Sequence, residues 1–412
     1  MIYLDSGATS FRKPKAVKQA VLRAMERCAN PGRGGYEPVV EADRVVYGCR
    51  ALAGEMFDCD PEQVVFTANC TQGLNIAIHT LVESGARVAV SGFEHNAVMR
   101  PLYARQAKIT VAGRRLFDWE DTLNKWEKAL KSGVQAAIFT HMSNVFGYIL
   151  PVEEMAALCR SYGVPFIVDA AQSAGTQPVK LRALGADFIA MPGHKGLLGP
   201  QGTGLLLCNR KPLPLLHGGT GSEPRRHDMP DDLPERAEAG TLNVPGIAGL
   251  GEGLGFLKRR GIENIAKEEE KCVKYIIEPL KKLGFEVYSG EHQGGTISFV
   301  PPMDCEELAG KMAARGIAVR AGLHCAPLAH ESAGTLETGT VRVSFGWDAT
   351  LGQAQQFLQK NGGYPQSVNI KNFCFTIAII RPIRYNSKDN RVVMRIARKR
   401  AVTTKEKRAV YG

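Results

Sequence analysis

Short apolar runs that alternate with segments of helical spacing constrain the fold of this chain more than any other feature. The six runs with the length and apolar character of buried strands are 64–66, 87–90, 136–140, 166–169, 188–191 and 204–207. Between them, residues 71–81 and 152–161 have the spacing of helices. Strands that alternate with helices in this way form largely parallel sheets covered by helices. We therefore predict an α/β fold with a mostly parallel sheet.

The pattern changes after about residue 255. A long charged helix is predicted over 262–283 and a shorter one over 305–315, and strands over 286–288, 295–300, 317–320 and 340–345. Strands that return around two helices predict a second, smaller α+β domain. We expect a large domain over 14–250 and a small domain built from 1–13 and 255–360. The glycine-rich segment 249–255 resembles a dinucleotide loop, but no predicted strand precedes it, so we interpret it as a site of helix packing.

The net charge of +11 suggests an anionic partner at first sight. Twelve basic and two acidic residues lie in 361–412, however, which leaves 40 basic and 39 acidic residues in the rest of the chain. The basic character therefore belongs to a C-terminal tail, and we expect no nucleic acid partner for the body of the protein. The composition, with 44% hydrophobic and 23% charged residues, is typical of globular proteins.

Targeting and redox signals point to a cytoplasmic protein. No apolar run reaches the roughly 18–20 residues needed to span a bilayer, and the first ten residues lack the pattern of a signal peptide. The ten cysteines form no CxxC pair, so we predict reduced thiols and no metal site.

The segment 187–204, DFIAMPGHKGLLGPQGTG, is the most specific in the chain. A predicted strand ends in a tight turn at Gly193–Gly196, which places Lys195 at the edge of the sheet where open α/β folds bind ligands. A lysine in such a pocket loses part of its hydration, so its amine is partly neutral and able to form a Schiff base. We expect this role rather than that of a solvated loop lysine.

Two further strand ends carry candidate ligand-binding groups. Asp169 ends an apolar strand, where a buried carboxylate demands a cationic partner such as a protonated pyridine nitrogen. Helix capping and metal binding are the alternatives for this residue. The N–H groups at the start of the helix at 71–81 would face a phosphate, although Thr71 would serve equally as an N-cap.

Cys325 is the candidate nucleophile among the cysteines. It lies in the segment 320–327, RAGLHCAP, beside Arg320 and His324, and positive neighbours favour the reactive thiolate. The sequence leaves open whether His324 is a proton shuttle or only a loop residue. For the other nine cysteines we expect structural roles.

Taken together, these segments resemble the cysteine desulfurase family, the class V branch of the fold type I pyridoxal-phosphate enzymes. The resemblance extends from residue 3 to residue 350 and rests on eight motifs in order: NPGRGGYE, FTANCTQGLN, EHNAVMRPL, HMSNVFGYILP, VDAAQSAG, GHKGLLGPQGTG, EAGTLNVPGI and VRAGLHCAP. It implies a large domain with a seven-stranded, mostly parallel sheet, and a smaller α+β domain. It implies pyridoxal phosphate as cofactor, and conversion of L-cysteine to L-alanine with the sulfur captured as a persulfide on Cys325 for a protein acceptor.

The resemblance also implies roles for individual residues. Lys195 would form the Schiff base with the cofactor, Asp169 would face the pyridine nitrogen, and His95 would lie over the ring. The remaining cofactor contacts would come from Asn144 and Gln172 near the phenolic oxygen, from Cys70, Thr71 and His194 at the phosphate, and from Thr241 of the neighbouring subunit of a homodimer. Arg320 and Arg342 would bind the substrate carboxylate.

The chain departs from the family at Pro192, at Asp348, where asparagine is common and we expect only a turn substitution, and in its C-terminal tail. Pro192 stands three residues before the lysine, where the family often has a serine that contributes to the phosphate site. The tail 361–412 has no counterpart. A disordered appendage and a binding tail are alternatives, and we favour the hypothesis that it is translated outside the ancestral reading frame. Selenocysteine lyase and class V aminotransferase remain alternative activities. A non-enzymatic interaction protein with a basic tail is the alternative of a different class.

Overall fold

The computed structural model describes residues 1–32 and 34–360. The predicted basic tail, 361–412, lies outside these described residues. The strands in the described part are β1 Ile2–Tyr3, β2 Val64–Thr67, β3 Arg87–Ser91, β4 Lys108–Ala112, β5 Ala136–Thr140, β6 Phe166–Asp169, β7 Phe188–Pro192, β8 Gly204–Cys208, β9 Glu286–Tyr288, β10 Thr296–Val300, β11 Ile317–Ala318, β12 Arg320–Gly322 and β13 Thr340–Ser344.

The α-helices of the described residues fill the segments between these strands. They are α1 Lys15–Arg27, α2 Glu37–Phe57, α3 Cys70–Leu81, α4 Asn96–Ala104, α5 Trp119–Lys131, α6 Val152–Ser161, α7 Leu181–Leu184, α8 Val244–Arg260, α9 Ile262–Lys282, α10 Cys305–Ala314, α11 Pro327–Ala333 and α12 Leu351–Lys360.

The predicted large sheet is confirmed. Seven strands lie in the order β2-β8-β7-β6-β5-β3-β4. Neighbouring strands from β7 to β4 are parallel, whereas β8 runs antiparallel to both β7 and β2. Every residue of the central strands β5, β6 and β7 is buried, as expected for apolar strands of a parallel sheet that is covered on both faces.

The strands after residue 285 form two smaller sheets. The order β12-β13-β10-β9 is antiparallel throughout. The N-terminal strand β1 pairs in parallel with β11, so the first residues of the chain lie against residues 317–318. This pairing brings the segment that follows β1 towards residues of β12 and β13.

The structure corrects two details of the predicted elements. The prediction missed β4, which is an edge strand with partly exposed residues and therefore lacks a continuous apolar run. The single strand predicted over 317–320 is two strands, β11 and β12, and each belongs to a different sheet.

The glycine-rich segment 249–255 lies inside α8, which confirms that its glycines serve helix packing. A side chain at Gly253 would overlap the carbonyl oxygen of Leu197. The helix thus packs directly beneath the turn that carries Lys195. No helix among the described residues is long and apolar enough to cross a bilayer.

Candidate active site

The strands β5, β6 and β7 end at the same edge of the large sheet, where the structure forms a cavity of about 110 Å³. The predicted site residues that line this cavity are Cys70, Thr71, His95, Asn144, Asp169, Gln172, His194 and Lys195. The carboxyl edge of a largely parallel sheet is the usual ligand site of open α/β folds. Residues from five separate segments of the sequence are therefore brought together where the fold favours ligand binding.

Lys195 follows β7 in a tight turn. The N–H of Leu198 donates to the carbonyl oxygen of Lys195 (3.0 Å), and the N–H of Gly199 donates to that of Gly193 (2.7 Å). Gly193 is required here because any side chain would overlap the hydroxyl of Thr203. Burial lowers the pKa of Lys195, and the charge of Arg342 lowers it further. The amine is therefore suited to act as a nucleophile or a base.

Asp169 ends β6 as a buried carboxyl group. Its Oδ1 accepts hydrogen bonds from the N–H of Ala171 (2.9 Å) and from the thiol of Cys70 (3.6 Å). Burial raises its pKa, and among the described residues it has no ion-pair partner within 4 Å. A cation carried by a ligand would stabilise a buried carboxylate in this position.

The N-terminus of α3 presents unpaired donors to the same cavity. The side chain of Asn69 caps the helix by accepting from the N–H of Gln72 (2.9 Å), so Thr71 is not the cap. The N–H groups of Cys70 and Thr71 have no hydrogen-bond partner in the described part of the chain. Free N–H groups at the positive end of a helix favour an anion. Pro192, which also lines the cavity, contributes no donor of its own.

Two histidines of the cavity are neutral. Nδ1 of His95 accepts from the N–H of Ala97 (3.0 Å), which leaves the ring proton on Nε2. Burial and the charges of Lys195 and Arg342 lower the pKa of His95 to about 4. Burial lowers the pKa of His194 to about 4 as well, and its Nδ1 lies 3.0 Å from the hydroxyl of Thr9.

Cys325 lies at the exposed tip of a tight turn. The N–H of Ala326 donates to the carbonyl oxygen of Leu323 (2.9 Å) and closes the turn. Both central residues have positive φ, 50° for His324 and 56° for Cys325. This backbone conformation is unfavourable for residues other than glycine. The thiol is exposed, whereas almost all the other cysteines of the described residues are buried. A strained turn that presents an exposed thiol is a hallmark of a functional position.

Hydrogen bonds tie this turn to residues of the cavity. The N–H of Asn96, the residue after His95, donates to the carbonyl oxygen of Cys325 (2.8 Å). The side-chain amide of Asn144 donates to the carbonyl oxygen of His324 (2.8 Å). The cysteine does not line the cavity itself, but both of its anchors come from segments that do.

The ring of His324 is buried and lies against Thr340. Its Nε2 lies 3.2 Å from the carbonyl oxygen of Thr340 and 3.1 Å from the hydroxyl of the same residue. Burial, with the charge of Arg342 next in size, lowers its pKa to about 2. The structure therefore favours the loop-residue interpretation, and it corrects the expectation that His324 supplies positive charge beside Cys325.

The two predicted carboxylate-binding arginines share a partner that sequence reasoning missed. Arg320 donates to both carboxylate oxygens of Asp5, and Arg342 donates to Oδ1 of the same residue (2.8 Å). Arg342 is 2% exposed and also donates to the carbonyl oxygen of Asn144 (3.0 Å). Its Nε is buried and has no partner among the described residues. A signal for Asp5 existed in the sequence, namely a lone acid that ends the short apolar segment Ile2–Leu4.

Thr241 does not join these residues within the chain. It is exposed and lines a separate cavity of about 740 Å³, next to the buried ion pair of Arg50 and Glu238. Within the described ranges, no three or more histidine, cysteine or acidic side chains come together in a way that would hold a metal ion.

Comparisons with known proteins agree over most of the chain. A family model described as aminotransferase class-V matches residues 2–357. A probable cysteine desulfurase of Methanothermobacter thermautotrophicus is 33% identical over 373 residues, which cover 86% of this chain and 92% of the relative. A probable cysteine desulfurase of Pyrococcus abyssi is 32% identical over 377 residues, which cover 87% of this chain and 92% of the relative. The apo structure of a cysteine desulfurase from Thermococcus onnurineus superimposes with a TM-score of 0.80 at 31% identity, covering 87% of this chain and 92% of that one.

Proposed function

The chain belongs to the aminotransferase class-V family, and we propose that it is a pyridoxal-phosphate-dependent cysteine desulfurase. Its fold is that of the fold type I enzymes of this kind, and its relatives at about 30% identity are named cysteine desulfurases. The reaction would convert L-cysteine and the thiol of Cys325 into L-alanine and a persulfide on Cys325. The observation that carries the proposal is the exposed Cys325 in a strained turn, which the N–H of Asn96 and the side chain of Asn144 hold in place.

The residues of the cavity fit pyridoxal phosphate. The buried Asp169 has no ion-pair partner within 4 Å among the described residues, and a protonated pyridine nitrogen would supply one. The unpaired N–H groups of Cys70 and Thr71 match a phosphate, with His194 beside it. His95 would lie over the ring, and Asn144 and Gln172 would contact its phenolic oxygen. The bound cofactor supplies an electron-withdrawing ring that accepts the electron pair released when a bond at the substrate Cα breaks.

The residues of the chain then have distinct roles in the reaction. With its lowered pKa, the amine of Lys195 would hold the cofactor and, once released from it, would take the proton from Cα of the substrate. Arg342 would bind the substrate carboxylate through its unpartnered Nε. His95, neutral and with its proton on Nε2, would donate a hydrogen bond next to the reacting atoms.

Sulfur transfer requires the thiolate of Cys325. It would attack the substrate sulfur, so that an S–S bond forms as the C–S bond breaks, and the released carbon skeleton takes up protons to become alanine. A protein acceptor would later remove the sulfur from Cys325, and supply to iron–sulfur cluster assembly is one use of it. A reduced thiol also favours a reducing compartment such as the cytoplasm.

We further propose a homodimer in which Thr241 completes the phosphate site of the partner. This fits the position of Thr241, which is exposed and separate from the cavity of its own chain. A second candidate activity is selenocysteine lyase, because selenium leaves more readily and the same residues would serve. Class V transamination has no use for the exposed Cys325.

The direct test measures alanine and sulfide after the protein, loaded with cofactor, is incubated with L-cysteine and a thiol reductant. Equal amounts of the two products are expected. Parallel reactions with L-selenocysteine, and with an amino acid plus a keto acid, distinguish the three activities. Amino-group transfer without sulfide release would refute the proposed function.

A further inference from the structure

Strand pairing places two positive side chains directly opposite each other. In the antiparallel pair β12–β13, Arg320 lies opposite Arg342. Like charges in this relation destabilise a sheet unless a counter-ion lies between them. Arg342 is almost completely buried, so the repulsion is weakly screened by water there.

Asp5 is the counter-ion of both arginines. The residue forms an isolated bridge with Ser344, next to the strand that carries Arg342. Its Oδ2 accepts from Nε (3.1 Å) and Nη2 (2.8 Å) of Arg320, and its Oδ1 accepts from Nη2 of Arg342 (2.8 Å). The side chain of Asp5 is only 12% exposed, compared with 50% for that of Arg320. One buried carboxylate therefore neutralises one of two cations.

The segment that carries Asp5 also reaches the reacting groups. A side chain at Gly7 would lie 3.2 Å from Cζ of Arg342, so the backbone packs on the guanidinium. The carbonyl oxygen of Gly7 accepts from the amide of Gln172 (3.0 Å), a residue of the cavity. The charge of Asp5 is also among those that act on the pKa of Lys195.

The ion pairs divide the donors of the two arginines unequally. Arg320 donates to Asp5 through Nε and Nη2 of its guanidinium. These two atoms form the edge that would otherwise bind a carboxylate in bidentate fashion. Arg342 keeps its buried Nε unpartnered within the described chain. The pair of arginines and Asp5 together carry one net positive charge, which matches one carboxylate.

We propose that Asp5 is a positioning residue that sets substrate specificity, because it holds Arg320 away from the ligand and leaves Arg342 as the cation for a single carboxylate. The inference rests on the proposed function in taking an amino acid as the substrate and Arg342 as the residue that binds its carboxylate. It predicts that amino acids with a second acidic group are excluded by the lack of a second available cation. Arg320 therefore forms an ion pair with Asp5 and does not bind the substrate.

The test compares two ligands without a sulfur atom. L-Alanine and L-aspartate are titrated into the protein loaded with cofactor, and the change in visible absorbance of the cofactor gives both dissociation constants. In Asp5→Asn, Arg320 is released, and L-aspartate should gain roughly 10-fold in affinity relative to L-alanine, the size of one charge-assisted hydrogen bond. A purely structural defect would weaken both ligands and leave their ratio unchanged.

The double variant Asp5→Asn/Arg320→Gln provides the matched control, because it removes the ion pair but keeps the net charge. It should return the ratio to that of the wild type. An unchanged ratio in Asp5→Asn, or the same gain in the double variant, would overturn the proposal.

A measurement on the wild-type protein covers the case in which Asp5→Asn does not fold. The wild type should bind L-alanine more tightly than L-aspartate, and equal or tighter binding of L-aspartate would contradict the inference. Since neither ligand carries sulfur, the outcome is independent of sulfide production, whose absence would refute only the proposed function.

Discussion

The N–H of Asn96 donates a hydrogen bond across 2.8 Å to the carbonyl oxygen of Cys325. Asn96 begins α4 directly after His95, whose ring lines the candidate active site. The bond joins two segments that are more than two hundred residues apart in the sequence. It fixes the backbone of Cys325 next to the cavity while the thiol remains exposed, as the proposed transfer of sulfur from a substrate to an acceptor protein would require.

Replacement of Cys325 by alanine should stop sulfide release from L-cysteine and preserve the visible absorbance of the bound cofactor. The thiol lies outside the cavity, so cofactor binding does not depend on it. The measurement is sulfide production with an absorbance spectrum of the same sample. Cys28→Ala is the matched control, since Cys28 is partly exposed but belongs to a different region of the fold, and it should retain full activity. Wild-type sulfide release by Cys325→Ala would show that another group accepts the sulfur.

Replacement of Lys195 by alanine should remove both the covalent cofactor absorbance and all turnover. The amine is the proposed nucleophile, and burial and the charge of Arg342 lower its pKa. Difference spectra after addition of pyridoxal phosphate measure the covalent bond. Lys15→Ala, at the exposed start of α1, should behave like the wild type. A Lys195→Ala protein that still forms the covalent cofactor would place the bond at another lysine.

Replacement of Glu269 by glutamine should make the protein more stable at alkaline pH. Glu269 is 5% exposed, and burial, with the charge of Asp348, raises its pKa to about 8. The folded protein therefore keeps a proton that the unfolded chain releases above about pH 4.3, so the free energy of unfolding falls as the pH rises between these values. Glutamine removes this loss, by an amount of order a few kcal/mol.

Denaturant unfolding of the wild type and Glu269→Gln at about pH 5 and about pH 8.5 checks this prediction. The stability difference should grow from the lower to the higher pH. Glu270→Gln, which removes a half-exposed carboxylate paired with Lys274, should show no such growth. A difference that is the same at both values would show that Glu269 is ionised in the folded protein.

The buried ion pair of Arg50 and Glu238 should contribute strongly to stability. Nη1 and Nη2 of Arg50 donate to the two carboxylate oxygens of Glu238, each at 2.9 Å, and the guanidinium lies 4.5 Å from the centre of the Phe66 ring. Glu238→Gln leaves the arginine charge uncompensated and should lower the free energy of unfolding by about 3–5 kcal/mol. The double variant with Arg50→Met should lose less than the sum of the single losses. Additive losses would show that the two charges do not interact.

The central strands were predictable from the sequence, whereas the edge of the sheet was not. Strands β5 and β6 match their predicted bounds because every residue in them is apolar or buried. Strand β4 alternates exposed and partly buried residues, and its short segment carries no continuous apolar run. The strand predicted over 317–320 divides after Ala318, since its two halves pair with different partners, which no local pattern indicates.

The site was predictable where its residues stand at strand ends, because the fold carries such residues to one edge. The partnership of Asp5 with Arg320 and Arg342 was not, since it joins residues more than three hundred positions apart. The orientation of the His324 ring was not predictable either, because it depends on contact with Thr340 of β13. Pairings over such distances are set by tertiary packing rather than by local sequence.

The central proposal for this protein is that Cys325 takes the sulfur atom from L-cysteine. The protein loaded with cofactor is incubated with L-cysteine in the absence of a reductant, its thiols and persulfides are alkylated, and peptides are analysed by mass spectrometry. We expect one additional sulfur atom on the peptide that contains Cys325, together with one alanine per protein chain. Alanine formation with the additional sulfur on a different cysteine, or on none, would contradict it.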